Sequence, residues 1–460
     1  MQGGPGFPLD DSYITMHNAA VLQAGGTDPA FPGTPALAGA TSVLHLALVT
    51  LLACLLPLPA AVLALLCAGA MLYVTGLLRL GRVLGLRPWL AVSGALAGAL
   101  SGFAPFNLLN GLETGLAMAG VAWALVFAVR PPRPWALPAL CGLLPFLRPE
   151  LGLLSLLLMA REAWLRRLPP LRVWLTAILL AGLPLLLWTR WNTGHLLPST
   201  IMAKAYFYAQ LQAPLAVKLR MAGEILAGSL LLTCLPGFLR WPRDSLAACA
   251  TVFALLFLAC YIAILPAALD MNGNRYPMLL LPLSTFMLMA GVARGAFGQY
   301  LLLAVTAFAL CTAPFVGRAY FQHKEASTRE QAALSAWLDH ELPADARLLI
   351  HDAGYLAYAG HRNMTDLVGL KTPSSVAYHR LYTQASGGDR RKALSLIAGC
   401  AGTTHAVLLQ NPQRSWSPIA PELESQGWQL TLLRPAPSGS GYTVYAMRPP
   451  AAGFAGACLP

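Results

Sequence analysis

The chain has 460 residues, of which 57% are hydrophobic and only 11% charged. That is more apolar surface than a soluble core of this length can bury, so most of it must face lipid, and an ordinary soluble enzyme is excluded. The formal charge of +12 does not point to nucleic acid, because the basic residues stand in short loops between apolar runs and not on one soluble face.

In chain order, the first feature is a carboxylate pair, Asp10 and Asp11, followed by Ser12, Tyr13 and Ile14. The apolar segment from Thr41 to Leu56 is too short to cross roughly 30 Å of hydrocarbon, which takes about 20 helical residues. It ends in L-P-L-P and is expected to lie as an interfacial helix. Spans are expected near 59–79, 88–104, 112–129, 135–147, 150–160, 171–190, 221–239, 245–266, 277–294 and 299–316. The two central ones, around Pro145 and Pro149, are short and read as a broken helical pair. Six of the nine cysteines, Cys67, Cys141, Cys234, Cys249, Cys260 and Cys311, fall in apolar runs, where a small buried residue is the expectation.

Lysines and arginines of short loops accumulate on the cytoplasmic side, and here every second loop is basic. Those loops hold Arg79, Arg82 and Arg87; Arg130 and Arg133; Arg161, Arg166, Arg167 and Arg172; Arg240 and Arg243; and Arg294. The remaining loops and both termini then lie on the far side. They carry Asp10 and Asp11, Asn107 to Glu113, Arg148-Pro149-Glu150, the stretch from Trp191 to about Arg220, and Asp270 to Arg275. Ionisable groups near membrane depth are costly and mark function when they converge on one face.

Beyond Arg318 the composition changes. Gln322 to Leu342 predicts an amphipathic helix with Ser327 as its N-cap, followed by a strand at Arg347 to Ile350. Further strands are expected at Ala406 to Gln410, Trp428 to Leu433 and Tyr442 to Met447, with helices near Arg390 to Ala398 and Pro421 to Gln426. No Gly-rich phosphate loop is present. Cys400 and Cys458 fall in this part and can pair as a disulfide if it is exported. The chain thus divides into residues 1–58, an outer acidic loop with an interfacial helix; 59–317, a polytopic helical bundle; and 318–460, a soluble α/β domain on the non-cytoplasmic side.

The chemistry available on that side is a base and several cations. One carboxylate of Asp10-Asp11 can accept a proton from a hydroxyl while its neighbour orients it or helps hold a cation. Two adjacent carboxylates without further ligands establish no metal site, so the cofactor is left open, with a divalent cation compatible but not required. Arg148, Lys204 and Arg275 can bind a phosphate, Arg275 through two parallel hydrogen bonds.

Asp10 to Ile14, Gly39 to Leu44 (G-A-T-S-V-L), Gly111-Leu112-Glu113-Thr114, Arg148-Pro149-Glu150, Leu197 to Lys204 (L-P-S-T-I-M-A-K) and Asp270 to Tyr276, taken in this order, resemble the GT-C membrane glycosyltransferases. The branch they resemble most contains mycobacterial terminal arabinofuranosyltransferases and bacterial pilin arabinosyltransferases. The resemblance implies inverting transfer of one sugar, with arabinofuranose as its first indication, from a polyprenyl-phosphate donor to an envelope glycan or protein acceptor. The reaction would take place on the periplasmic side of a bacterial inner membrane. It carries the base onto Asp10 or Asp11, with Asp10 favoured, and the phosphate contacts onto Lys204 and Arg275. Glu113, Arg148, Glu150 and Asp270 match motif positions, with Glu113 and Glu150 alternatively pairing Arg148 as structural support. Asn192 and His195 are candidate sugar contacts, and the C-terminal domain, through Asp352-Ala353-Gly354 and Asp366 to Leu370, is a candidate for acceptor recognition.

Members of the family place a transmembrane helix before the acidic pair, whereas nine residues precede Asp10 here. The expectation is that the natural chain starts further upstream or that the acidic loop lacks an anchor of its own. Two other classes of function share parts of this pattern. A secondary transporter also has about ten spans and broken helices, but would place its charges near the midplane between repeats. A non-enzymatic envelope assembly protein would tolerate loss of the acidic pair.

Overall fold

The computed structural model describes residues 6–167, 170–196, 198, 200–228, 236–239, 244–292, 295–360, 362–410, 418–436, 441–451, 454 and 457–459. It contains two compact units. A helical unit comprises Met1–Pro8, Thr41–Leu196 and Lys218–Lys324, and an α/β unit comprises Leu9–Ala40, Leu197–Val217 and Glu325–Pro460.

In the helical unit, five helices among the described residues are long and apolar enough to cross a membrane: Leu58–Val83, Leu171–Thr193, Ser245–Ile264, Met271–Val292 and Ala296–Glu341. Val43–Leu52, Pro88–Leu100, Thr114–Val129 and Ala136–Leu147 are shorter apolar helices. Leu171–Thr193 buries almost none of its apolar side chains, as suits a lipid-facing helix, whereas Met271–Val292 is almost wholly enclosed by its neighbours. Ala136–Leu147 and Leu171–Thr193 approach backbone to backbone at Gly142 and Gly182; a Cβ on Gly142 would lie 2.8 Å from the Ile178 carbonyl oxygen. Small residues at such crossings let membrane helices gain dispersion contact where no hydrophobic effect drives them together. Part of the expected 221–239 span, and the basic residues Arg240, Arg243 and Arg294, lie outside the described residues, as do Leu197 and Ser199 of the L-P-S-T stretch.

The short segment at 41–56 forms the helix Val43–Leu52, begun by Ser42, whose hydroxyl accepts from the His45 N–H at 3.3 Å. The expected break between Pro145 and Pro149 is present. Ala136–Leu147 ends at Arg148, which is extended (φ −151°, ψ 127°), and Leu151–Trp164 begins two residues beyond Pro149. A residue before proline is pushed out of the α region by the proline ring, so Pro149 itself stops the helix at Arg148.

The α/β unit holds a five-stranded sheet in the order β2-β1-β3-β5-β4. Its strands are β1 (Leu348–Ile350), β2 (Met364–Asp366), β3 (His405–Gln410), β4 (Gln429–Arg434) and β5 (Gly441–Arg448). β1 runs parallel to β2 and β3, and β5 runs antiparallel to β3 and β4. Four of these strands coincide with the expected ones; β2, three residues long, has too few residues to show alternation. Helices Arg391–Cys400 and Ile419–Glu424 cover one face with Leu394, Ile397 and Leu423, packed with Trp428 and with Ile14 and Phe207 from the two earlier stretches of the unit. Cys400 and Cys458 are joined in a disulfide.

One expectation is overturned. Ser327 does not cap a helix, because Ala296–Glu341 is a single helix of 46 residues with Ser327 inside it. Between the apolar half and the amphipathic half there is no proline beyond Pro314 and only Gly317 among the glycines. The polarity changes without a helix breaker, so the backbone continues.

Candidate functional site

In the helical unit the polar residues gather from three turns. Glu113 precedes helix Thr114–Val129 with no capping bond from its side chain, which leaves the carboxylate to reach Arg148. Arg148 Nη1 donates to Glu113 at 2.9 Å, while its Nη2 and Nε donate to the two oxygens of Glu150 at 2.6 and 3.3 Å. The guanidinium is 1% exposed and stacks over Tyr276 with its carbon 4.6 Å from the ring centre. Glu150 also accepts from the Tyr261 hydroxyl. Three of the five Arg148 N–H groups are thus held by carboxylates, a geometry in which a buried ion pair satisfies itself. Arg275, 4% exposed, also lies over Tyr276, at 5.1 Å, near enough for its charge to act on Glu113.

The 270–275 turn is unusual. Asn272, Gly273 and Asn274 all have positive φ, at 55°, 68° and 57°, a conformation that asparagine and glycine tolerate best. The turn is held by Asn107, whose amide donates to the Gly273 carbonyl at 2.7 Å, and Asn107 in turn accepts from Asn110 at 2.9 Å. Asp270 is exposed and accepts from Asn274 at 3.4 Å. The loops 107–113, 148–150 and 270–276 therefore meet. At the basic ends, Arg161 donates to Ser245 at 2.9 Å and to the Ala128 carbonyl at 3.3 Å, so alternate loops gather into two separate groups.

In the α/β unit, Leu9 is extended and the acidic pair forms the first turn of helix Asp10–Gln23, where two negative charges complement the helix dipole. Asp10 is tied to residues more than 300 positions away. Oδ1 accepts from Gln331 Nε2 at 3.1 Å and the Tyr355 N–H at 2.8 Å, and Oδ2 accepts from the Gly354 N–H at 2.7 Å. A Cβ on Gly354 would collide with the Asp10 carbonyl and carboxylate, so this approach requires glycine. Withdrawal from water, then the charges of Asp352 and Asp11, push the Asp10 carboxyl up to about 8 from its ordinary 3.8, with the Tyr355 and Gly354 N–H groups opposing. Asp352 itself accepts from the Tyr442 hydroxyl at 2.7 Å. Asp11 pairs with Lys204 of helix Thr200–Tyr208 at 3.3 Å.

A second polar cluster in this unit is fully enclosed. Lys371 donates to Asp28 at 2.8 Å and to Asn18 at 2.7 Å, and His17 reaches both Asp28 oxygens at 3.0 Å. Asp28 also accepts from the Ala30 and Phe31 N–H groups. Lys371 and Asp28 side chains are 0% exposed and paired with each other, so the cluster locks residues 17–31 to the sheet domain. Among the described residues, no three His, Cys, Asp or Glu side chains are grouped to hold a metal ion.

Over its whole length the chain is similar to the structure of ArnT from Cupriavidus metallidurans bound to undecaprenyl phosphate. The TM-score is 0.55 at 13% identity, with 99% of this chain and 96% of that one covered. The apo state of the same protein gives 0.53 at 12% identity, covering 96% and 94%. The fold is GT-C-like. The Archaeoglobus fulgidus oligosaccharyltransferase complex with Zn and sulfate matches at 0.45 and 12% identity, over 96% of this chain and 69% of that one. Residues 319–445 match a family described as Domain of unknown function (DUF8728). No curated protein matches the chain.

Within this GT-C-like fold, the sequence candidates fall into two groups. Glu113, Arg148, Glu150 and Arg275 cluster in the helical unit, and Asp10, Asp11 and Lys204 in the α/β unit. Asn192 spends its amide on the Trp188 carbonyl of its own helix at 3.0 Å, and His195 is an exposed residue just past that helix. Neither joins a cluster among the described residues. Tyr261, Gln331, Tyr355 and Tyr442 were not legible as partners, because single aromatic or amide residues inside helices and strands carry no spacing signal. Asp352, already marked by the D-A-G triplet, was.

Proposed function

We propose that this GT-C-like protein is an inverting glycosyltransferase that moves one sugar from a polyprenyl-phosphate donor to an envelope glycan or protein acceptor on the periplasmic side of a bacterial inner membrane. Arabinofuranose is the first sugar to test. The observation that carries the reading is the acidic pair at the start of helix Asp10–Gln23, one carboxylate raised toward neutral pH and the other paired with a lysine, in a chain that follows the ArnT fold from end to end.

In this reading the acceptor hydroxyl attacks the anomeric carbon, the bond from that carbon to the lipid phosphate breaks with inversion, and the acceptor proton passes to Asp10. A base works best when its pKa lies near the working pH. Asp11, held by Lys204, orients the acidic turn. Arg275 is the proposed phosphate contact among residues of the helical unit, and Arg148, held by Glu113 and Glu150, acts as their support. Exposure to an oxidising compartment is supported by the Cys400–Cys458 disulfide.

The test is release of polyprenyl phosphate from a panel of polyprenyl-phosphate pentoses and hexoses, with envelope extract as acceptor. Sugar-dependent release that Asp10→Asn removes supports the reading. A folded protein that releases none from any donor overturns it.

A further inference from the structure

The α/β unit contains a cavity of about 440 Å³, within the size range of small-molecule sites. It lies beside the edge strand β2 and is bounded by the 31–34 turn, helix Pro373–Tyr378 and the C-terminal tail. Its polar lining is Thr34, Arg347, Asn363, Thr365 and Ser374, together with Thr372, Ser375 and Tyr378, whose hydroxyls are bonded within the domain. The side chains of Asn363 and Ser374 are exposed and those of Thr34 and Thr365 half-buried, so their donors and acceptors are accessible to a guest. The opposite wall is fixed. Tyr378 accepts from the Leu459 N–H at 2.8 Å, Cys400 and Leu459 both line the cavity, and the Cys400–Cys458 disulfide pins the tail beside them.

The chemistry of this lining discriminates among guests. No carboxylate or histidine lines it, which removes a metal ion. A single arginine and no glycine-rich loop give a nucleotide phosphate little to bind. Uncharged hydroxyls and an amide around an apolar floor of Phe31, Met364 and Ile397 do not suit an alkyl chain. A peptide strand cannot extend the sheet here, because the Met364 N–H of β2 already donates to the Ala30 carbonyl at 2.7 Å. A neutral saccharide fits. Its hydroxyls both donate and accept, as threonine, serine and asparagine do, and its C–H faces suit an apolar floor. We infer that this cavity binds a neutral mono- or disaccharide unit, and, resting on the transferase reading above, that the unit belongs to the acceptor.

Saturation-transfer NMR on the full chain in lipid nanodiscs, without any donor, tests this with a panel of neutral disaccharides of pentoses and hexoses. At least one should show transfer. Ser374→Trp, which plugs an exposed rim position, should abolish it, and Thr365→Val, which keeps the shape and removes the hydroxyl, should weaken binding about five- to tenfold. Both variants should unfold at the parent temperature. No transfer from any saccharide, transfer that survives Ser374→Trp, or binding of phosphorylated sugars alone would each overturn the inference. Because no donor is present, such a result leaves the lipid-phosphate release assay standing, and failure of that assay leaves saccharide binding to be judged here.

Discussion

Asp10 is where local chemistry and distant contacts meet. Its carboxyl is held near 8 mainly by withdrawal from water. As the proposed base it must be deprotonated, so in that reading the transfer rate should rise with pH through about 8 and level above it. Asp10→Asn should cost at least about 100-fold in rate. Asp352→Asn removes a neighbouring negative charge and should move the rising limb of the pH–rate profile to lower pH; an unmoved limb would mean that Asp352 does not act on Asp10. The same shift links pH to stability. The folded carboxyl holds its proton above the ordinary 3.8, so the favourable contribution is full below that value and is lost as pH rises through about 8. Asp10→Asn should therefore flatten the decline of unfolding temperature between pH 5 and 8. For Arg148, the prediction is structural: Arg148→Met strands Glu113 and Glu150 without their partner and should destabilise the bundle by about 3–5 kcal/mol, read as a lower unfolding temperature in detergent.

At the scale of elements, the long helix and the tail make opposite demands on sequence reading. Ala296–Glu341 hides its unity because composition switches from apolar to polar half-way, and a change of surroundings imitates a change of element. If Ser327 lies inside the helix, Ser327→Ala should change stability by no more than about 0.5 kcal/mol, whereas loss of a true cap costs about 1. The tail is held by a covalent link across 58 residues of sequence, with Phe454 stacked on Trp428 at 5.6 Å. Cys400→Ser should destabilise the α/β unit by about 2–4 kcal/mol and expose residues near 457–459 to protease. Equal proteolysis of both proteins would show that packing alone holds the tail.

For the whole molecule, the sidedness deduced from arginines makes a direct prediction. Protease added to intact spheroplasts should digest the α/β unit, and a reporter fused after Arg130 should stay protected. The helical, membrane-type character of the bundle, the broken pair at Pro149 and four of five strands were legible in the sequence because each depends on nearby residues. A membrane helix satisfies its own backbone hydrogen bonds, a proline restricts the residue before it, and strand alternation repeats every two residues. The acidic pair, the arginines and the disulfide cysteines were also visible as candidates, since charge in an apolar chain is conspicuous. What only the tertiary structure decided is which partners they find. Residues 9–40, 197–217 and 325–460 come together in one unit; Asp10 is bound by Gln331, Gly354 and Tyr355; Lys371 is buried on Asp28; and Arg148 is taken by two glutamates. Those pairings depend on distances between residues remote along the chain, and hydrogen bonds of this kind leave no period or spacing in the sequence to read.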